Sequence, residues 1–495
     1  HGGQPDFIRV SSGDAPRRTA EPTANQEGSG MRFLKSLALG LGAVCLCAGG
    51  AFAVESLSTP TGVHVWNKYG AYDGYTLLSP NMTNDVYLID MKGDVVHTWH
   101  TAGKPGLYAE LLPNGNLLRG IRYDPKHVPF GGVSGGVQEI DWDGNVVWEH
   151  KIHGPRANQH HAFSRMPNGN TLIVAWQYKS YDEAVAKGRR KGTLPAKADP
   201  KAKYQYDGLW EDYIVEVDKD GREVWSWHTW DHIGKGKDKL DINYKLPIAN
   251  YYGDSDWVHI NCVTYIPETD QILFTARNFG EVFLVDKSTG RIAFRWGNPT
   301  THDPRAKKPG WCDDGDQKLF GPHDATWLGD GRIMLFDNGW NRPSVNRSRA
   351  VIINSKTGEL EWEYRAQNPN GFYSAYQGAA QMLPNGNVLI TSTNTGHIFE
   401  VTRGKKPHVV WEYVSPWTLK GPVALLEDSH SFDDPTGLED INIMSNFVHR
   451  AFRYGKDYPG LKGRDLSKAQ VLFPKAPKWY ELWDKAAMLK PAEIR

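Results

Sequence analysis

The chain has little cysteine and no net charge. Four cysteines stand among 495 residues, and 57 Lys and Arg balance 57 Asp and Glu to a formal charge of zero. No Lys/Arg run interrupts that balance, so the electrostatic footprint of a nucleic-acid surface is missing, and no nucleic-acid partner is expected. Long apolar runs are also scarce. The one present, LALGLGAVCLCAGGAFA ending at Ala53, is too short and too rich in Gly and Ala to span a bilayer. It follows Met31, Arg32 and Lys35 and ends on Ala51-Phe52-Ala53, which is the order of an export signal. The expectation is that residues 31–53 are removed, leaving Val54 first and no stable membrane insertion, with residues 1–30 as a polar extension outside the fold. Cys45 and Cys47 leave with the signal. Cys262 and Cys312 remain, and in an oxidising compartment they are either a disulfide or two free thiols.

What the chain does have is repetition. Five stretches show a short alternating run, a turn and a second apolar run: AELLPNGNLLRG (109–120), HAFSRMPNGNTLIVAW (161–176), VTYIPETDQILFTAR (263–277), HDATWLGDGRIMLFD (323–337) and AAQMLPNGNVLITST (379–393). A second hairpin type alternates with them, as in VQEIDWDGNVVWEH and IVEVDKDGREVWSW, and it takes up many of the 19 Trp. Two interleaved hairpins repeated in this way predict an all-β, six-bladed β-propeller over residues 74–455. Its last blade is expected to be built from both ends, with SNFVHRAFRY (445–454) as an inner strand beside GYTLLSP (74–80). Residues 54–73 form a lead-in and 456–495 a tail containing WYELWDKAAMLK. Three insertions interrupt the repeat: 177–212; 229–257, read as separating the two hairpins of one blade; and 298–321, whose DDGDQ reads as a turn.

Propeller topology then locates the polar residues. With strands lettered A to D from the axis outward, A and C begin on the same face, and the B-to-C loop lies there too. His259 and His323 fall at A-strand starts, His397 at a C-strand start, and Arg277 and Arg342 in B-to-C segments. These five are expected to converge on one mouth of the axial funnel. His161 and Arg450 also sit at A-strand starts, where a one-residue slip reverses the side chain. Three imidazoles and two guanidiniums without paired carboxylates suit an anionic substrate. Sugar hydrolysis by an acid pair fits this set poorly. Two other readings stay open: a metal-binding propeller with His259, His323 and His397 as ligands, and a non-catalytic ligand-binding or scaffold propeller.

On DWVHIN (256–261), PHDATW with FDNG (322–339), the arginine that follows, and GHIFEV (396–401), the chain resembles the bacterial arylsulfate sulfotransferases that use no nucleotide sulfate donor. The resemblance implies a periplasmic propeller that moves a sulfuryl group from a phenolic sulfate to a phenolic acceptor. The route is ping-pong, through a covalently modified histidine, without metal or other cofactor. Carried over by motif, His397 is the nucleophile, His259 and His323 assist, Arg342 binds sulfate, and Arg277 follows its strand as in the family; Arg277, Asn261, Asn338 and His161 are the further candidate substrate-binding groups. The lead-in is too short for the amino-terminal sandwich domain of some members, Asp324 follows the histidine, and Pro343 follows the arginine. No oligomeric state follows from the sequence.

Overall fold

The structure, a computed structural model, describes residues 61–123, 127–128, 130–197, 207–244, 255–418, 421–422, 446–467 and 470–472. The polar extension, the export signal and the WYELWDKAAMLK stretch lie outside the described residues. Each run-turn-run repeat forms an antiparallel pair, because alternation puts one face of each run against a neighbouring sheet while the Gly-containing turn reverses the chain. Six four-stranded sheets result, joined in a ring by contacts between neighbouring inner strands. From the axis outward, blade two is Lys104–Leu111, Leu117–Arg122, Gly135–Ile140 and Val146–Lys151. Blade three is Ala157–Arg165, Thr171–Lys179, Leu209–Val217 and Glu223–His228. Blade four is Ile260–Ile266, Gln271–Ala276, Glu281–Asp286 and Ile292–Trp296. Blade five is His323–Gly329, Arg332–Asp337, Arg349–Asn354 and Leu360–Tyr364, and blade six is Ala379–Met382, Val388–Ser392, His397–Val401 and Val409–Val414.

Blade one closes the ring with strands from both ends of the propeller. Val448–Gly455 is its inner strand, followed outward by Gly74–Pro80, Val86–Ile89 and Val95–Trp99. Gly74 pairs with Gly455 and Leu77 with Phe452. The lead-in holds a strand of its own, Gly62–Trp66, which adds a fifth, outermost strand to blade six with Gly62 opposite Val414. The two closures fasten opposite sides of one blade boundary. The insertion 229–257 corrects the sequence reading. It leaves the last strand of blade three and arrives at Ile260 of blade four, so it joins two blades instead of dividing one.

Two repeated contacts explain the repeated residues. Outer-strand tryptophans donate indole N–H bonds to turn carbonyls of the next blade: Trp227 to Gly290 (2.8 Å), Trp296 to Gly358 (2.9 Å) and Trp411 to Met91 (2.9 Å). A Trp here covers apolar surface with its ring and still satisfies its one donor. In the PNGN turns, the second asparagine side chain bonds a glutamate of the same blade's third strand: Asn116 to Glu139 (2.7 Å), Asn170 to Glu216 (2.6 Å) and Asn387 to Glu400 (2.7 Å).

A third repeat positions the site. Near its start, the inner strand of five blades carries more residues than the strand beside it. The excess falls at 106–108 in blade two, 160–162 in blade three, Asn261 in blade four, 324–325 in blade five and 449–450 in blade one. Such bulges bend the strand and re-aim side chains. Leu107, His161 and Asp324 take positive φ within these bulges, at 77°, 48° and 55°, and His259 and Gln377 do so just ahead of the inner strands of blades four and six, at 62° and 59°. For non-glycine residues that conformation costs on the order of 1–3 kcal/mol each and persists where the surroundings over-determine it.

Candidate active site

The starts of the inner strands gather five imidazoles near the axis. The ring centroid of His161 lies 4.6 Å from that of His259, 6.5 Å from His323 and 6.3 Å from His449. His160 completes the group, stacked on Trp176 at 3.7 Å, with its Nδ1 2.9 Å from His161 Nδ1. Close packing demands a small neighbour at Gly132. A Cβ there would lie 1.8 Å from the His161 ring, and the Gly132 carbonyl accepts the His161 N–H at 2.9 Å.

Two buried carboxylates back His259. Asp212 accepts the backbone N–H groups of His259 and Ile260 at 2.9 and 2.7 Å, which pins the bulge. Asp256 Oδ2 lies 2.6 Å from His259 Nδ1. A carboxylate on Nδ1 holds the proton there and leaves Nε2 as the working nitrogen. Burial, then the neighbouring Asp256, pushes the Asp212 carboxyl well above its ordinary range.

His323 is oriented by an amide. Its Nδ1 is 2.7 Å from Asn338 Oδ1 and 3.0 Å from the Gly321 carbonyl, both acceptors, so Nδ1 carries the proton. Nε2 keeps the lone pair and accepts the Gln377 backbone N–H at 3.2 Å. Burial, followed by the charge of Arg277, holds this imidazole well below the usual histidine value, hence neutral. His160, His161 and His449 are pushed the same way, in each case first by burial.

The cations differ in what they have left to give. Arg450, from the closing strand, is 3.2 Å from Asp324 Oδ1, donates to the Asn261 carbonyl at 2.7 Å and covers the Tyr108 ring. Among the described residues Arg277 closes no ion pair with a carboxylate. Its guanidinium lies 4.7 Å from the Trp340 ring centroid and bonds only Asn278 Oδ1, at 3.2 Å. Burial lowers its pKa, which means the site would gain by supplying it an anion. The site is therefore a set of buried imidazoles beside a guanidinium that closes no ion pair among the described residues.

Residues 58–416 match the family model of the arylsulfotransferases (ASST). The chain belongs to that family. It is 25% identical over 341 residues to the arylsulfate sulfotransferase AssT of Escherichia coli O6:H1, a match covering 57% of this chain and 53% of the relative. The AssT of Lelliottia amnigena is 24% identical over 343 residues with the same coverage of 57% and 53%. The chain spans about half the length of the curated relatives it matches. Among solved structures, a Bacteroides caccae protein of unknown function superposes with a TM-score of 0.42 at 12% identity, over 69% of this chain and 93% of that one.

Against the sequence expectations, the fold brings His161, His259, His323 and Arg277 together and leaves others apart. His397 starts the third strand of blade six, stacks on Phe399 and places Nε2 2.7 Å from Glu412 of the outer strand. It makes no ring contact with the axial histidines, because the third strand stands two strand spacings, about 10 Å, further from the axis than the first. Arg342 is spent on carboxylates, 2.9 Å from Asp314 and 2.5 Å from Asp337, and lies over Phe320. Asn261 is wholly buried, donating to the Pro322 carbonyl at 2.8 Å and accepting from Thr275 Oγ1 at 2.6 Å. Asn338 is taken up within the protein, with Oδ1 on His323 and Nδ2 on the Ser374 and Gln377 carbonyls.

Cys262 and Cys312 form no disulfide. Cys262 is buried with Sγ 3.0 Å from Thr275 Oγ1, while Cys312 is exposed in the 298–321 loop. Among the described residues no group of three His, Cys, Asp or Glu is arranged to hold a metal ion. Sequence reasoning missed His160, His449, Asp212 and Asp256. The doubled histidine at 160–161 was the available signal for the first, and DWVHIN contains the last.

Proposed function

We propose that this arylsulfotransferase transfers a sulfuryl group from a phenolic sulfate ester to a phenol through a covalent intermediate on His323. The observation that carries the reading is a neutral imidazole whose proton is held on Nδ1 by Asn338, leaving Nε2, met by the Gln377 backbone N–H at 3.2 Å, as its lone-pair nitrogen, under the charge of Arg277, which closes no ion pair among the described residues. A sulfate monoester brings a single negative charge, which Arg277 compensates with a planar fork of donors. In the first half-reaction Nε2 of His323 attacks sulfur, the S–O bond to the aryl group breaks, and its electron pair stays on the aryl oxygen. A phenol with pKa near 10 leaves readily only if that oxygen is protonated. His259 gives the proton from Nε2, with Asp256 on Nδ1 stabilising the imidazolium beforehand. In the second half-reaction an acceptor phenol loses its proton to His259, attacks sulfur, and returns the S–N pair to His323. Like phosphoryl transfer, this asks mostly for positioning and charge stabilisation.

Donor without acceptor should therefore release one equivalent of phenol in a burst. After mild digestion, mass spectrometry should find the sulfuryl mass on the peptide containing His323. A label on His259 or His161 reassigns the nucleophile, and no label on any histidine sinks the covalent route. The export signal supports a periplasmic location, which amino-terminal sequencing of the secreted protein tests by beginning at Val54.

A further inference from the structure

His449 is wholly buried, and among the described residues it is the only imidazole with both ring nitrogens buried and unpaired. A neutral imidazole has one donor and one acceptor to satisfy, and leaving both unmet inside a protein is unfavourable unless a ligand or water meets them. Its place in the fold says which ligand. It sits on the bulge of the closing strand, 6.3 Å between ring centroids from His161, and His323 is among the charges that act on it. Its backbone is fixed, since Thr393 Oγ1 donates to its carbonyl at 3.1 Å. The ring therefore faces the axial cluster with its hydrogen-bonding capacity unused.

The transferred group has a matching need. A sulfuryl group presents three terminal oxygens and one negative charge. A guanidinium fork engages two oxygens and balances that charge. The third oxygen calls for a donor without further charge. The neighbouring Arg450 is already bridged to Asp324 and to the Asn261 carbonyl, so it is not the donor. Resting on the reading of function given above, we propose that His449 donates a ring N–H to the third terminal oxygen of the sulfuryl group and is a further catalytic residue of the transfer. Burial and the adjacent Arg450 keep the ring neutral, so it offers the oxyanion a donor without adding charge.

The test uses the full chain and three variants, His449→Gln, His449→Ala and His449→Phe, each checked for thermal melting. Losing one preorganised donor to a transition-state oxygen lowers the rate by about 10²–10³-fold. The burst rate with 4-nitrophenyl sulfate should fall by that amount in the Ala and Phe variants. Gln keeps an N–H donor and should stay within about tenfold of wild type. Calorimetric binding of inorganic sulfate should weaken in Ala and Phe, while binding of 4-nitrophenol should not change. A wild-type burst rate in His449→Ala overturns the proposal. So does an equal loss in all three variants with sulfate binding unaltered, which marks a packing role. If Phe does not fold, the Ala and Gln pair decides by the same criteria. A wild-type protein with no burst defeats the functional reading instead, and sulfate binding to the variants then still decides whether His449 faces an oxyanion.

Discussion

Asn338 holds His323 by presenting Oδ1 2.7 Å from the ring Nδ1, and it cannot turn over. Its Nδ2 is committed to the carbonyls of Ser374 at 2.8 Å and Gln377 at 2.7 Å, so the oxygen must face the histidine. The tautomer of His323 is thus set from outside the ring. Replacing Asn338 with Leu removes the acceptor, and by analogy with other groups that orient a ligating or reacting histidine, turnover should drop by about 10–100-fold with little change in KM. Steady-state kinetics with 4-nitrophenyl sulfate checks this, and an unchanged kcat would remove Asn338 from the argument.

Arg277 and Arg342 should separate cleanly. Arg277→Lys keeps a charge but loses the fork, and kcat/KM should fall by about 100-fold or more. Arg342→Lys retains a cation between Asp314 and Asp337, so turnover should stay near wild type, with any effect appearing as a lower melting temperature. A large kinetic loss in Arg342→Lys with normal melting would return that residue to the substrate.

His397→Ala should still give a full burst and a labelled His323 peptide. Its Nε2 is engaged by Glu412, in the outer strand of blade six. Loss of both burst and label in a folded His397→Ala protein would restore the assignment made from the GHIFEV motif.

Stability should fall as the pH drops below the unfolded histidine value. His160, His161, His323 and His449 all have folded pKa values pushed well below 6.5, so below that pH the unfolded chain binds protons the folded one refuses. Unfolding free energy therefore rises with pH in this window and is fully present above about pH 6.5. Each such histidine contributes a slope of about 1.4 kcal/mol per pH unit once its unfolded form is protonated. Denaturant titrations between pH 4 and 8 should show it, with His449→Gln shallower by one proton. A flat profile would mean that these rings are not neutral in the folded protein.

The repeat made the ring legible. PNGN turns and Trp-ended hairpins recur because each makes the same contact in several blades, so counting them fixed both the blade number and the pairing of 74–80 with 445–454. The extra strand Gly62–Trp66 was not legible, since five residues at a sheet edge carry too little alternation to stand out. In the site, the strand order put His259 and His323 on inner strands and His397 on a third strand, and the shared face led to the expectation that all three converge. The distance between first and third strands is what keeps His397 outward of the other two. Arg342 went astray for a different reason: its partner Asp314 comes from the 298–321 insertion, and no local pattern announces an ion pair between segments. His449 sat in a stretch read only as a closing strand, and the bulge that turns it inward has no residue signature.

The strand that closes the ring also brings the last pieces of chemistry. His161, His259 and His323 are all in place by residue 323, but His449 and Arg450 arrive more than a hundred residues later. Arg450 then reaches back to Asp324 and to the Asn261 carbonyl. A nascent or truncated chain ending before Val448 holds most of the blades and most of the histidines, yet its axis is open on one side and Asp324 lacks its cation. Topology thus sets the order of assembly: the strand that joins the two ends is also the one that brings His449 and Arg450 to the axis, so the imidazole cluster and the Asp324 ion pair are completed together, in the step that closes the ring.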